Sequence, residues 1–95
     1  MILHEDILRH QPRDTVGVAI RPLQAGSQAS VRDISTQEVL TVPVKQDIPA
    51  FHKIALISME AGSDVIEYGQ IIGLATAPIG RGMWTHIHNI KTKRW

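Results

Sequence analysis

The chain has 95 residues, enough for one compact core and too few for two lobes about a cleft. Hydrophobic residues make up 43% and charged residues 20%, which matches folded soluble domains and excludes disordered, coiled-coil and collagen-like chains. Ten Lys and Arg against nine Asp and Glu leave a formal charge of +1, so nucleic acid and anionic membranes are not expected as partners. With no cysteine, a disulfide framework, a thiolate nucleophile and a thiolate metal site are all excluded, and any metal has to be held by His, carboxylate or water.

The opening MILHEDILRHQPRD places His4, Glu5, Asp6 and Arg9 where a signal peptide needs an apolar run, and the expected location is the cytoplasm. Ile2, Leu3, Ile7 and Leu8 recur near helical spacing and predict a short amino-terminal helix that Pro12 must end. Beyond it, turn formers at Pro22, Gly26, Pro43, Pro49, Gly62, Gly69, Gly73, Pro78, Gly80 and Gly82 cut the chain into short apolar pieces. Such pieces are too brief for most helices and read as strands. Val16–Ile20, a turn over Gln24–Ser27 and Ala29–Val31 predict a hairpin. Glu38–Val42 ends at Pro43, which donates nothing to a ladder and marks an edge or an exit. Lys45–Ala50 reads as a polar connection. His52–Leu56 resumes a strand, Glu60–Asp64 turns the chain, and Val65–Tyr68 follows, with Gly69 allowing a bend. Gly73 inside Ile71–Thr76 signals a bulge or a close backbone approach. The last element runs from Trp84 to Ile90. The fold class is therefore mainly β: one irregular, clipped, barrel-like unit over 1–95, with a 1–12 amino-terminal segment, a 13–92 core and a 93–95 basic tail continuing the positive charge of Lys91.

Thr85-His86-Ile87-His88-Asn89 is the most specific local pattern. On a strand, His86 and His88 project to one side and can approach one ion, which borderline metals such as Fe, Mn or Zn accept. Two ligands rarely hold an ion tightly, so an isolated HxH reads first as two wet or backbone-bonded histidines on a half-buried strand and only then as a metal site. His52 stands where a strand begins and is a candidate third ligand or acid/base, the alternative being a turn cap. Lys53 is a candidate for a substrate carboxylate, Tyr68 offers a phenol, and Asn89 can donate and accept. His4 and His10 are expected in solvated roles. HExxH, GxSxG and both common phosphate-binding glycine loops are missing, so nucleotide-dependent, zincin and hydrolase readings lack a motif.

Taken together, HKIALISMEAGSDVIEYGQIIGLATAPIGRGMWTHIHNIKT, from His52 to Thr92, resembles the small amino-terminal domain of the altronate and galactarate dehydratase family. The resemblance is carried by His52-Lys53 opening a strand, Gly62 in a turn, the segment containing Val65, Ile66, Tyr68, Gly69, Ile72 and Gly73, and Gly82 followed by His86, His88 and Asn89. DTVGVAIRPLQAGSQ and VPVKQDIPA resemble the first part of the same domain. The resemblance implies a SAF-type β-clip fold and the small subunit of a metal-dependent sugar-acid dehydratase. Such an enzyme removes water from an aldonate, altronate being favoured by the HxHN ending, to give a 2-keto-3-deoxy acid. It also implies a separate large dehydratase subunit as partner, a sugar-acid substrate, a divalent Fe2+ or Mn2+ cofactor and a homo-oligomeric assembly as a further state. By position in the motif, His52, His86 and His88 are assigned catalytic roles, His86 and His88 the metal, and Lys53, Tyr68 and Asn89 the substrate, with the general base placed on the large subunit. The small subunit of a sulfolactate sulfo-lyase and a non-catalytic SAF binding module are the alternatives.

Overall fold

The computed structural model describes residues 5–92. Every regular element among them is a strand: β1 (Ile7–Arg9), β2 (Val16–Ala19), β3 (Gln28–Asp33), β4 (Val39–Pro43), β5 (Lys53–Ala55), β6 (Asp64–Glu67), β7 (Gln70–Ala75), β8 (Trp84–Thr85) and β9 (Ile90–Lys91). They form a six-stranded sheet, β4-β3-β1-β2-β5-β8, and a three-stranded sheet, β6-β7-β9. The mainly-β class read from the turn-punctuated sequence is the one observed. No helix among the described residues is long and apolar enough to cross a membrane.

Two features of the chain's first third depart from expectation. Met1–His4 lie outside the described residues, but Ile7 and Leu8 belong to a strand and not to a helix. β1 sits inside the large sheet, antiparallel to β2 and parallel to β3, and Ile7 is fully buried. The amino-terminal segment thus supplies a central strand of the core. For the same reason Val16–Ile20 and Ala29–Val31 make no hairpin, because β1 is inserted between β2 and β3. A parallel partner this far along the chain leaves no local signature, whereas a hairpin turn does.

Other readings hold at the level of single residues. β4 is the edge strand that Pro43 requires. At Gly73 both anticipated features are present: the β6–β7 register shifts beside Val65, its partner, and a side chain at Gly73 would run into the Lys91 carbonyl oxygen of β9. The bend at Gly69 is a two-residue hairpin loop in which Tyr68 (φ 58°) and Gly69 (φ 71°) are both left-handed between the paired Glu67 and Gln70. That is the primed turn whose twist suits antiparallel strands.

The core divides in two. Ile7, Ala19, Leu23, Val31, Val42, Val44, Ile48 and Ile54 pack together with Ala29 in the large sheet, and Trp84 and Leu56 lean on them. The segment from Lys45 to Ala50 enters that core through Ile48, which bridges to Leu23. Val16, Ala55, Met59, Val65, Ala75 and Ile79 form the second cluster. Thr15 joins the two sheets, accepting from the Ile66 N–H at its hydroxyl (2.9 Å) and donating its own N–H to the Ile66 carbonyl (3.0 Å).

Two buried carboxylates fix the scaffold. Asp33 is fully buried and accepts from Arg9 Nε (2.7 Å), Ser35 Oγ (2.6 Å) and the Thr36 N–H (2.8 Å). Burial opposes its ionisation, but the hydrogen bonds from Ser35, Thr36 and Arg9 outweigh it and hold the carboxyl well below the usual carboxylate range. Asp14, also buried, accepts from the N–H groups of His10 (3.2 Å), Tyr68 (3.1 Å) and Gly69 (2.8 Å) and so clamps the β6–β7 turn.

Candidate active site

The site is assembled by β5 and β8. Their antiparallel register pairs Lys53 with Thr85 and Ile54 with Trp84. One step further along the same register, just past both strand ends, His52 faces His86, and their ring centroids lie 4.5 Å apart. Trp84 sits against this pair, 5.6 Å from the His52 ring and 5.8 Å from the His86 ring, and 4.9 Å from the ring of His88. All three histidines assigned catalytic roles from sequence are therefore gathered around one indole.

The HxH motif is not on a continuous strand. The chain leaves β8 at Thr85, turns through His86–Asn89 and enters β9 at Ile90. Strand alternation consequently does not orient His86 and His88. The cause is Asn89, whose Oδ1 accepts from the His86 N–H (2.8 Å) and whose Nδ2 donates to the Trp84 carbonyl (2.8 Å). The Asn89 and Ile90 N–H groups both donate to the His86 carbonyl at 3.0 Å. Asn and Asp side chains commonly take a short segment out of extended structure in this way. Asn89 is 8% exposed, and both ends of its amide are engaged within the turn, so it braces the segment that carries His86 and His88.

Hydrogen bonding sets the chemistry of His52. Trp84 Nε1–H donates to His52 Nδ1 at 3.1 Å, and an indole can only donate. His52 Nδ1 therefore carries the lone pair, the neutral tautomer has its proton on Nε2, and the ring presents a donor. His86 is kept from protonation by burial first, then by His52, His88 and Lys53, which together lower its pKa from the ordinary imidazole value. Near neutral pH it is an uncharged acceptor. His88 is exposed.

Lys53 lies on β5 beside these rings and is 3.8 Å from Glu67 Oε1. Glu67 is 7% exposed and had no sequence signal, because a carboxylate near the end of a short strand is ordinary. Tyr68 belongs to a different aromatic pair: it stacks on His10 at 3.7 Å, at the hairpin held by Asp14. His10 is thus half-buried against a ring, and His4 lies outside the described residues.

The implied Fe2+ or Mn2+ can be tested against these donors. No group of three or more His, Asp or Glu side chains among the described residues is placed to hold an ion, and the Nδ1 of His52 is already committed to Trp84. That leaves the imidazoles of His86 and His88, too few for a closed centre. On the donors of the described residues alone, a resident metal does not fit.

A small domain whose described elements are all strands, with three imidazoles gathered around one indole and a lysine beside them, is the class of protein that this fold and site define. The chain belongs to the altronate/galactarate dehydratase SAF domain family, whose match spans residues 5–93. It is 34% identical over 91 residues to the (2R)-sulfolactate sulfo-lyase subunit alpha of Chromohalobacter salexigens, covering 95% of this chain and 97% of that subunit. It is 39% identical over 79 residues to the altronate dehydratase of Escherichia coli, covering 83% of this chain and 15% of that enzyme. The Bacillus subtilis altronate dehydratase is 33% identical over 88 residues, covering 93% of this chain and 16% of that enzyme. The chain thus spans nearly the whole of the sulfo-lyase subunit and less than a fifth of either dehydratase.

Proposed function

We propose that this chain is the small subunit of a lyase that acts on 2-hydroxy acids bearing a leaving group on the next carbon, with altronate as the substrate class, working with a separate large dehydratase chain. The reading is carried by the family match over residues 5–93, and the meeting of His52 with His86 gives that match a chemical face.

In such an elimination a base takes the proton from C2, the electron pair of that C–H bond forms the C2–C3 double bond, and the C3–O bond breaks with the departure of hydroxide as water. The resulting enol tautomerises to the 2-keto-3-deoxy acid. The reaction needs a positive point for the carboxylate, a donor for a substrate oxygen and a base. Lys53 supplies the first. His52, with its proton on Nε2, supplies the second. His86, neutral but of depressed basicity, accepts a hydrogen bond from a substrate hydroxyl but is a poor base for a carbon acid, so proton abstraction is assigned to the large chain. A divalent ion, where the enzyme uses one, takes most of its ligands from the large chain as well, with His86 and His88 as this domain's contribution.

A second reading has its own support. The sulfo-lyase subunit alpha is matched over 97% of its length, and loss of sulfite from C3 of sulfolactate is the same elimination with another leaving group. The test is turnover by this chain mixed with the large chain, with altronate and (2R)-sulfolactate offered in parallel. Activity on altronate requiring both chains, and falling by about 100-fold in His52→Ala or His86→Ala with the fold retained, is the expected result. Turnover of sulfolactate alone selects the second reading, and undiminished activity of both variants removes the imidazoles from the mechanism.

A further inference from the structure

We propose that Phe51 and Ile87 form the contact by which the large lyase chain docks on this domain, bringing the partner over His52, His86 and His88. This rests on the two-chain reading above and adds to it where the partner sits. Ile87 is 83% exposed and Phe51 75%, the two most exposed large hydrophobic side chains among the described residues, ahead of Val39 at 58% and Tyr68 at 57%. Scattered apolar side chains on a surface are ordinary. These two are not scattered. Phe51 is next in sequence to His52 and Ile87 lies between His86 and His88, so both flank the His52–His86 ring pair, whose centroids are 4.5 Å apart.

The backbone at Phe51 adds an independent observation. Its φ is 68°, a left-handed conformation that suits glycine and is unfavourable for a bulky side chain. The Phe51 N–H donates to the Ala19 carbonyl at 2.6 Å and the Ala19 N–H to the His52 carbonyl at 2.9 Å, so β2 holds the segment in this shape with the ring in solvent. A strained backbone that displays an exposed aromatic group is unfavourable for the isolated domain and suits an anchor, since aromatic side chains dominate the energetics of contact surfaces. The occupant follows from what the chain lacks and what its relatives contain. No three metal-ligating side chains converge among the described residues, while the domain matches only 15% of the Escherichia coli altronate dehydratase. Most of that single-chain relative is therefore available to cover these two side chains and complete the site.

The test is co-purification of the large chain with the tagged domain from its native host, comparing wild type, Phe51→Gly, Ile87→Ser and, as a control on the exposed β4 edge, Leu40→Ser. The large chain is identified by peptides matching altronate dehydratases outside the region that this domain covers. Phe51→Gly removes the ring yet suits the left-handed backbone, so its melting temperature is not lowered and lost binding cannot be ascribed to unfolding. The expected result is a loss of at least about tenfold in retained large chain for Phe51→Gly and for Ile87→Ser, with Leu40→Ser at the wild-type level. Full retention by both the Phe51 and the Ile87 variant, or loss with Leu40→Ser alone, overturns the docking surface. Turnover by the wild-type complex, measured on the same preparations, then still supports the lyase reading. A wild-type domain that captures only a second copy of itself overturns the proposed occupant, and absence of turnover in that preparation takes the two-chain lyase reading with it.

Discussion

Two regions of this domain use their polar groups differently. Around Asp33 and Asp14, each buried carboxylate is saturated from several directions: three donors on Asp33 from Arg9, Ser35 and Thr36, three N–H groups on Asp14. At β5–β8 the described side-chain bonding to an imidazole ring is a single one, from Trp84 to His52, and it fixes the tautomer of His52. Saturated buried polar groups hold a fold, and removing one partner strands the other. Partly engaged groups at a surface are free to bind. Polarity by itself therefore does not mark the site in this protein; the balance of donors and acceptors does.

The sharpest way to break that contrast is Asp33→Ala. It leaves Arg9, 8% exposed, without its main partner, and the expected loss is about 3–5 kcal/mol in denaturant unfolding. A loss below about 1 kcal/mol would mean that water replaces the carboxylate and that the pair is not a buried brace. The wild-type protein carries the same signature in acid. Because the Asp33 carboxyl ionises well below the usual range when folded, the unfolded chain binds the proton more readily, and stability present above the ordinary Asp pKa of about 3.9 is lost as the pH falls below it. In Asp33→Ala this part of the acid limb is absent.

Asp14→Ala is next in size. Three backbone N–H groups lose their acceptor, at an expected cost of about 1–3 kcal/mol, and hydrogen exchange at Tyr68 and Gly69 accelerates while the β2–β5 ladder keeps its protection. Asn89→Ala sharpens the comparison from the other side. It removes two hydrogen bonds from a turn near the surface, about 1–2 kcal/mol, yet it frees the segment carrying His86 and His88. Lyase activity of the complex is expected to fall further than stability does. Equal losses would place Asn89 among the purely structural braces.

How much of this was legible depends on whether the determining contact is local. Pro43 marked the β4 edge, and Gly73 its close approach, because each acts through its own backbone. The start of a strand at His52 was readable from the apolar run after it. The pairing of β1 with β3 was not, since Ile7 meets Val31 through a parallel ladder and a three-residue strand is too short to show period-two alternation against a helical spacing. At the site, HxH identified the histidines but not their geometry: Asn89, four residues from Thr85, converts the expected strand into a turn. The Trp84–His52 bond joins residues far apart in sequence through the β5–β8 register, and Glu67 beside Lys53 depends on how one sheet lies against the other.

The smallest predicted effect separates the two regions by pH. His86 is depressed by burial and by its neighbours His52, His88 and Lys53, so its imidazole resonances are expected to titrate below the ordinary value of about 6.5, and His52→Ala, by removing one of the causes of that depression, to shift the midpoint back upward. The sign for stability follows. Above the ordinary imidazole pKa both states are neutral and His86 has no effect; as the pH falls through that value the unfolded chain takes up the proton first, and the folded state loses ground until His86 itself protonates. This loss begins two or more pH units above the one due to Asp33, as their ordinary pKa values of about 6.5 and about 3.9 require. A stability profile in which His86→Ala flattens only the upper limb and Asp33→Ala only the lower one would establish that the imidazole cluster and the braced sheet titrate as independent units. A single limb abolished by either substitution would show the two regions to be coupled.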